Sequence, residues 1–369
     1  MADLDEMLKA AGLFGCDAPA DAANAGIDMA DADTDAANAG RGAGVDAASA
    51  GANAAGRDAG KEPAAVATDV PEGFRSGFVT LVGRPNAGKS TLLNAIMGEK
   101  LAITSDTPQT TRHRFRAVYD ADDMQMVVVD TPGLHKPEDA LGAALDDSAL
   151  KAIEGVDVVA MLVDAGKPVG RGDKWVARSV AAARARKVLV VSKTDTVSRQ
   201  TAEKQVLAAK DLADWDAIVC LSAVAGKNVD AFIEETARLL PPGPRWFPKG
   251  TGLDQSVEVV VAEFIREKIL HSTRDEVPHA CGVEVEQIET DKRTGFRRIW
   301  AVVYVERDSQ KGIIIGRGGR AIKQVGSEAR ADLERFFGAK VHLDLSVKVR
   351  KNWRRDANQV RRFGYGDGL

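Results

Sequence analysis

Only three cysteines, Cys16, Cys220 and Cys281, occur in 369 residues, and they stand far apart without CxxC or Cys/His spacing. This excludes a disulfide-stapled scaffold and a zinc module, and it suits a reducing cytoplasm. Long apolar runs are also missing. No uninterrupted stretch approaches the ~18 residues that cross a bilayer, and charged residues make up 28% of the chain. A soluble chain is expected. The opening MADLDEMLKAAGLF is acidic where a secretory signal is basic, and no small-residue cleavage site follows an apolar core, so no export is indicated.

The balance of 50 Lys plus Arg against 54 Asp plus Glu hides unlike segments. Residues 1–70 hold 13 acidic and 4 basic residues, repeat DAANAG at 21–26 and 35–40, and offer almost nothing β-branched or aromatic to bury. Chain entropy should win there, so 1–73 is read as a disordered acidic extension. Its first fourteen residues carry a helical period (Leu4, Met7, Leu8, Ala11), read as a frayed, solvated end. Residues 307–369 are the opposite, with 15 basic residues against 7 acidic.

From Gly77, apolar strand-like runs at 78–83, 125–133, 157–164, 187–195 and 217–223 alternate with helical stretches at 89–99, 171–186, 200–213 and 228–240. Continuous Val/Leu/Ile runs of this length indicate buried parallel strands, and the alternation indicates a doubly wound α/β sheet over 74–243 with ligand loops at the strand ends. The proline-rich run LLPPGPRWFPKG (239–250) breaks any helix; residues 244–255 are read as a linker.

The first strand runs into GRPNAGKST, which matches G-x-x-x-x-G-K-[ST] through Gly83, Gly88, Lys89 and Ser90, with Arg84, Pro85, Asn86, Ala87 and Thr91 in the same loop. Such a loop cradles phosphate oxygens with backbone N–H groups at a helix N-terminus, Lys89 neutralises the β/γ charge and Ser90 holds magnesium. The next apolar strand ends in Asp130-Thr131-Pro132-Gly133, followed by Leu134. Asp130 is expected to hold the metal through water and the Gly133 N–H to sense a γ-phosphate. Between them TPQTTRHR (107–114) offers Thr110 and Thr111 to close over the metal. Ser192-Lys193-Thr194-Asp195 ends one strand and Ser222-Ala223 the next. A carboxylate at Asp195 accepts both ring and exocyclic N–H groups of guanine, which adenine cannot match, so GTP and GDP are the expected ligands. Lys193 is expected to lie over the base, and the Ala223 N–H to meet the guanine carbonyl.

After the linker, a helical run at 256–270 precedes two alternating runs at 280–289 and 297–306, then GIIIGRGGRAIKQVG and a last strand KVHLDLSVKV. The order helix-strand-strand-helix-helix-strand fits an α+β KH domain over 256–369, with Gly316-Arg317-Gly318-Gly319 as the GxxG turn where a nucleic-acid backbone approaches, and Arg320 and Lys323 beside it. The tail adds Lys351, Arg354 and Arg355 for phosphates, interleaved with Trp353, Phe363 and Tyr365, which could stack on bases.

Taken together, GRPNAGKST, QTTRHR, DTPGLH, SKTD and SAVAGKN resemble the translation-factor-like GTPases, and within them the Era-like ribosome-assembly GTPases, over about residues 74–369. The resemblance implies a P-loop GTPase domain joined to a type II KH domain, Thr111 as the switch threonine, and the 3′ end of 16S rRNA in the 30S subunit as partner. Lys89, Thr111 and Gly133 are then the groups expected to act on the γ-phosphate. The base-reading motif of the family begins with Asn where Ser192 stands, so its shorter side chain is expected not to brace the phosphate loop and the guanine together. Leu134 occupies the position where Ras-like proteins place a glutamine and cannot orient water; the adjacent His135 reads as a switch-loop histidine rather than a base. Related GTPases with a phosphate-loop asparagine use potassium, which implies a monovalent cation near Asn86 and slow intrinsic turnover. A cytoplasmic monomer is expected. Peripheral membrane contact belongs to the family, and no strongly amphipathic basic helix requires it here. Two other readings are an RNA-binding adaptor in which nucleotide is mainly structural, and a phosphotransferase; SKTD and SA argue against the second.

Overall fold

The computed structural model describes residues 70–107, 110–134, 137 and 139–365. The extension over 1–69, including its helical period, and His135 lie outside the described residues.

Six strands form the first sheet: β1 (Arg75–Gly83), β2 (Phe115–Asp120), β3 (Met124–Asp130), β4 (Val158–Asp164), β5 (Arg186–Ser192) and β6 (Ala217–Cys220), in the order β2-β3-β1-β4-β5-β6. All neighbours are parallel except β2 with β3. Both faces are covered, which is why these strands are nearly continuous in Val and Leu. Helices α1 (Lys89–Met97) and, further along the chain, α5 (Val229–Leu239) pack Leu92, Leu93 and Phe232 on Val79 and Leu81. On the other face α2 (Ala140–Glu154), α3 (Arg171–Ala182) and α4 (Arg199–Lys210) pack Ile153, Val176 and Val206 on Val82 and Met161. The strand β2 and the helix α2 were not anticipated from the sequence.

The proline-rich run is strapped to the sheet rather than suspended between domains. Gly243 N donates to Phe74 O at 3.2 Å, Arg245 is buried against Asp120 with its guanidinium over the Phe74 ring, and Phe247 joins Val118 and Val127 in a small apolar cluster. The side chain of Gln125 holds the segment from below, its Oε1 accepting from Trp246 N and Phe247 N at 2.8 and 2.9 Å.

Beyond it come α6 (Val257–Ser272), the short α7 (Val277–Ala280), β7 (Gly282–Thr290), β8 (Arg297–Val305), α8 (Asp308–Ile315), α9 (Arg320–Phe337), β9 (Val341–Val349) and α10 (Ala357–Arg362). The sheet order is β7-β8-β9, with β8 antiparallel to β7 and parallel to β9. Val260, Phe264 and Ile265 of α6 and Val325, Ala329 and Leu333 of α9 bury Val283, Ile299, Ala301 and Val303 on one face. Ile103 and Phe115 of the first domain enter the same core, and a second shared cluster joins Leu141 and Leu145 of α2 to Trp353, Val360, Phe363 and Tyr365.

Candidate nucleotide site and RNA-binding surface

The phosphate loop follows from two glycines. At Gly83 (φ +156) a Cβ would lie 2.7 Å from Leu162 O, so only glycine lets β1 end against β4 here. Gly88 is left-handed at φ 96 and caps α1, leaving the first N–H groups of the helix facing the loop. Lys89 follows, 6% exposed, with Nζ 3.4 Å from Arg84 O. Burial lowers its pKa, and the Asp130 carboxylate opposes this.

Asp130, at the end of β3, is fully buried. Its Oδ2 accepts from Ser90 Oγ at 2.6 Å and Thr111 Oγ1 at 3.3 Å, and those hydroxyls are 2.8 Å apart. Oδ1 is buried without a hydrogen-bond partner. Burial raises this carboxyl above the usual range, while Lys89 and the two hydroxyls pull it back. Converging hydroxyl and carboxylate oxygens with one orphaned lone-pair site fit a hard divalent cation. Of the two switch-loop threonines, Thr111 is the one at Asp130; Thr110 turns its hydroxyl to Thr107 O and Ser105 O. Gly133 lies on the phosphate loop so closely that a Cβ would sit 2.9 Å from Pro85 Cα.

Several residues of the expected binding set have side chains engaged elsewhere. Arg84 pairs with Asp173 at 2.9 Å, Thr131 Oγ1 donates to Leu81 O at 2.8 Å, and Leu134 is buried in the core beside Val82. Thr131 and Leu134 are left with their backbone to meet a ligand, while the Arg84 side chain stays 38% exposed beside Asp173. The Ser192 Oγ lies 2.7 Å from Ala87 O, so the shorter side chain reaches the phosphate loop, which is one of the two ends it was expected not to join. Lys193 is left-handed (φ 59), and its Nζ donates to Asn86 O at 2.6 Å. Thr194 N donates to Leu221 O at 3.3 Å, which brings the turn carrying the exposed Asp195 beside Ser222 and Ala223. The buried Ser222 shapes its own loop, its Oγ accepting from Ala225 N at 3.1 Å.

In the second domain the GxxG turn separates α8 from α9. Gly316 (φ 70) would place a Cβ 2.7 Å from that of Ala321, whereas at Gly318 (φ 60) and Gly319 (φ 77) a Cβ meets nothing within 4 Å. Arg317, Arg320 and Lys323 are exposed beside this open backbone, and Ile313 is 53% exposed one turn before it. The tail is different from its expected form. Trp353, Phe363 and Tyr365 are 0%, 6% and 1% exposed, because they fill the cluster with Leu141 and Leu145; none is free to stack on a base. Arg354 is held by Glu306 at 2.9 Å and Asp139 at 3.5 Å, so it ties the two domains together, while Lys351 and Arg355 stay exposed.

Two residues of the switch loop are buried at the domain junction, a placement the sequence does not show. Arg112, 1% exposed, donates to Cys281 O at 2.6 Å and His279 O at 3.0 Å. His113 faces Glu263 Oε1 at 3.0 Å and Phe363 O at 3.1 Å. TTRHR looks like a solvated loop because its burial partners come from the other domain, 150 or more residues away in the chain.

A parallel sheet with this phosphate loop, the buried aspartate after β3 and the aspartate after β5 define a P-loop GTPase, here followed by a KH domain. Family models agree: that of the 50S ribosome-binding GTPases matches residues 78–193 and that of the KH domain residues 276–354. The chain belongs to the Era family of GTPases. It is 46% identical over 296 residues to GTPase Era of Mycobacterium avium, spanning 79% of this chain and 99% of the relative, and 44% identical over 296 residues, with the same coverage, to that of Mycolicibacterium smegmatis. Crystal structures of Aquifex aeolicus Era bound to GDP·AlF4− and of Era with MgGDPNP and nucleotides 1506–1542 of 16S ribosomal RNA superpose with TM-scores of 0.77 and 0.76. Each is 32% identical and covers 80% of this chain and 100% of that one. The chain is a GTPase that takes a guanine nucleotide with magnesium. Among the described residues no helix is long and apolar enough to cross a membrane.

Proposed function

We propose that GTP hydrolysis here times the hold of the KH domain on the 3′ end of 16S rRNA during assembly of the 30S subunit. One observation carries this reading: three successive switch-loop residues serve both domains, Thr111 at Asp130 and Arg112 and His113 inside the KH junction. Support for the RNA comes from a related Era structure that holds nucleotides 1506–1542 of 16S rRNA together with MgGDPNP. The nucleotide-binding unit spans 74–243, the strap 244–255 and the RNA-binding unit 256–369, acting as a cytoplasmic monomer.

In the bound state backbone N–H groups of the loop from Asn86 to Thr91 and the Lys89 ammonium would hold the β- and γ-phosphates, and Asp195 would receive the two N–H groups of guanine. Ser90, Thr111 and Asp130 would hold magnesium, which would supply charge neutralisation at the phosphates. The Gly133 N–H would meet the γ-phosphate, so loss of that phosphate would release the backbone at Gly133. Leu134 is buried in the core, so its side chain cannot orient water, and slow intrinsic turnover is expected. Asn86 donates its amide N–H to Asp106 O, which leaves its Oδ1 for a potassium ion. Replacing potassium by sodium is expected to lower kcat; equal turnover in the two salts would remove the ion from the mechanism.

The test of the coupling is a titration of a short RNA from the 3′ end of 16S rRNA against protein loaded with a non-hydrolysable GTP analogue and then with GDP, at one stated salt concentration. Tighter binding in the GTP state is expected. Equal affinities would mean that nucleotide serves the fold alone.

A further inference from the structure

We infer that Asp164 is a positioning residue of the guanine site, acting through Lys193. Asp164 ends β4 directly opposite Ser192, the last residue of β5. Its two carboxylate oxygens have separate partners. Oδ1 accepts from Gly166 N at 2.9 Å, which shapes the loop that follows, and Oδ2 accepts from Lys193 Nζ at 3.0 Å. Lys167 approaches Oδ2 only to 3.8 Å, from a side chain that is 56% exposed. From the side, Gln205 of α4 donates to the carbonyls of Asp164 and Lys167 at 3.0 and 2.7 Å, so the loop bearing the carboxylate is held from a rigid element.

The need for such an anchor follows from the local chemistry. A hydroxyl has one proton, so Ser192, whose Oγ lies 2.7 Å from Ala87 O and 3.2 Å from Val163 O, supplies at most one donated bond to the phosphate loop. The second tie between the base-reading turn and the phosphate loop is Lys193 Nζ to Asn86 O. That tie relies on a long side chain with several free rotors, whose ordering carries an entropic cost. A largely buried carboxylate fixing the same ammonium by a charge-assisted bond holds the lysine stem across the place where the base would lie. Both ends of the tie are non-glycine residues in the left-handed region, Lys193 at φ 59 and Asn86 at φ 63. Asn86 in turn donates to Asp106 O in the switch loop, so Asp164, Lys193, Asn86 and Asp106 form a continuous polar connection from the base turn to the switch.

Asp164→Asn keeps an acceptor for Gly166 and the side-chain shape while removing the charge. It is expected to raise the dissociation rate of fluorescent GDP about tenfold, as loss of a hydrogen bond to a charged group would, and to raise KM for GTP more than it lowers kcat. The melting temperature of the nucleotide-free protein should stay with the parent. Lys193→Met should weaken GDP at least as much, and the double variant should be no weaker than Lys193→Met alone. Additive losses, or a parent-like dissociation rate for Asp164→Asn, would overturn the inference. The proposal rests on Lys193 lying at the base. If Lys193→Met leaves GDP affinity intact, that assignment falls and the inference with it; if Lys193→Met weakens GDP and Asp164→Asn does not, the inference alone falls.

Discussion

Replacing Gly318 and Gly319 together by aspartate is expected to lower RNA affinity by roughly a hundredfold or more while leaving the fold and GTP turnover in place. At both positions a Cβ meets nothing within 4 Å, so the new side chains enter solvent and not the core. Both glycines are left-handed, φ 60 and 77, a region where aspartate is better tolerated than most residues. What the substitutions remove is the close approach of a phosphate backbone, and what they add is two negative charges among Arg317, Arg320 and Lys323. At about 1–3 kcal/mol for each disrupted contact, two such changes total about 2–6 kcal/mol, or about 1.5 to 4 decades in affinity, with a middle value near three. Anisotropy titration at fixed salt reads the loss, with circular dichroism and GTP turnover as controls. Parent-like affinity would move RNA away from this turn. Gly316→Ala makes the contrast: its Cβ would press on Ala321, so it is expected to perturb the helix packing itself.

The two glycine turns illustrate what a sequence makes legible. GRPNAGKST and GRGG act through backbone geometry set within a few residues, so the motif carries nearly the whole site. The places of Asp130 and Asp195 were equally legible, because the first ends an apolar strand and the second stands three residues beyond the end of another, and strand ends converge in a doubly wound sheet. The strand β2 was not, since FRAVYD is short, partly polar and paired antiparallel at the edge. The tail misled for a related reason. Trp, Phe and Tyr between arginines suit base stacking and core packing equally well, and the choice was made by Leu141 and Leu145, more than 200 residues earlier. QTTRHR marked the loop, but the burial of Arg112 and His113 carried no local signal, because a charged residue is buried only where distant partners wait for it.

Those partners make Glu263→Gln the second large effect. Glu263 and Arg266 are 1% and 0% exposed, bonded through Nε at 2.9 Å and Nη2 at 2.6 Å, and Glu263 also takes His113 Nδ1 at 3.0 Å. Burial alone would raise this carboxyl, but Arg266 and then His113 bring it down from 4.5 to about 2. Removing the charge leaves a buried guanidinium whose Nη1 already lacks a partner, at a cost of about 3–5 kcal/mol. Amide exchange in α6 and β8 should report that loss. Because the folded carboxyl titrates below its ordinary value, its contribution is complete above pH 4.5 and fades as the pH falls toward about 2; the variant should lack this acid-sensitive component. Arg266 also donates to Thr110 O, next to Thr111 of the metal site, so the same substitution loosens the switch loop from the KH side. Coupling between sites is reciprocal: if this junction transmits nucleotide state to RNA, Glu263→Gln should flatten the difference between GTP- and GDP-loaded protein in RNA affinity. A full nucleotide effect in the variant would place the transmission elsewhere, with the Arg354 bridge to Asp139 the next contact between the two domains to break.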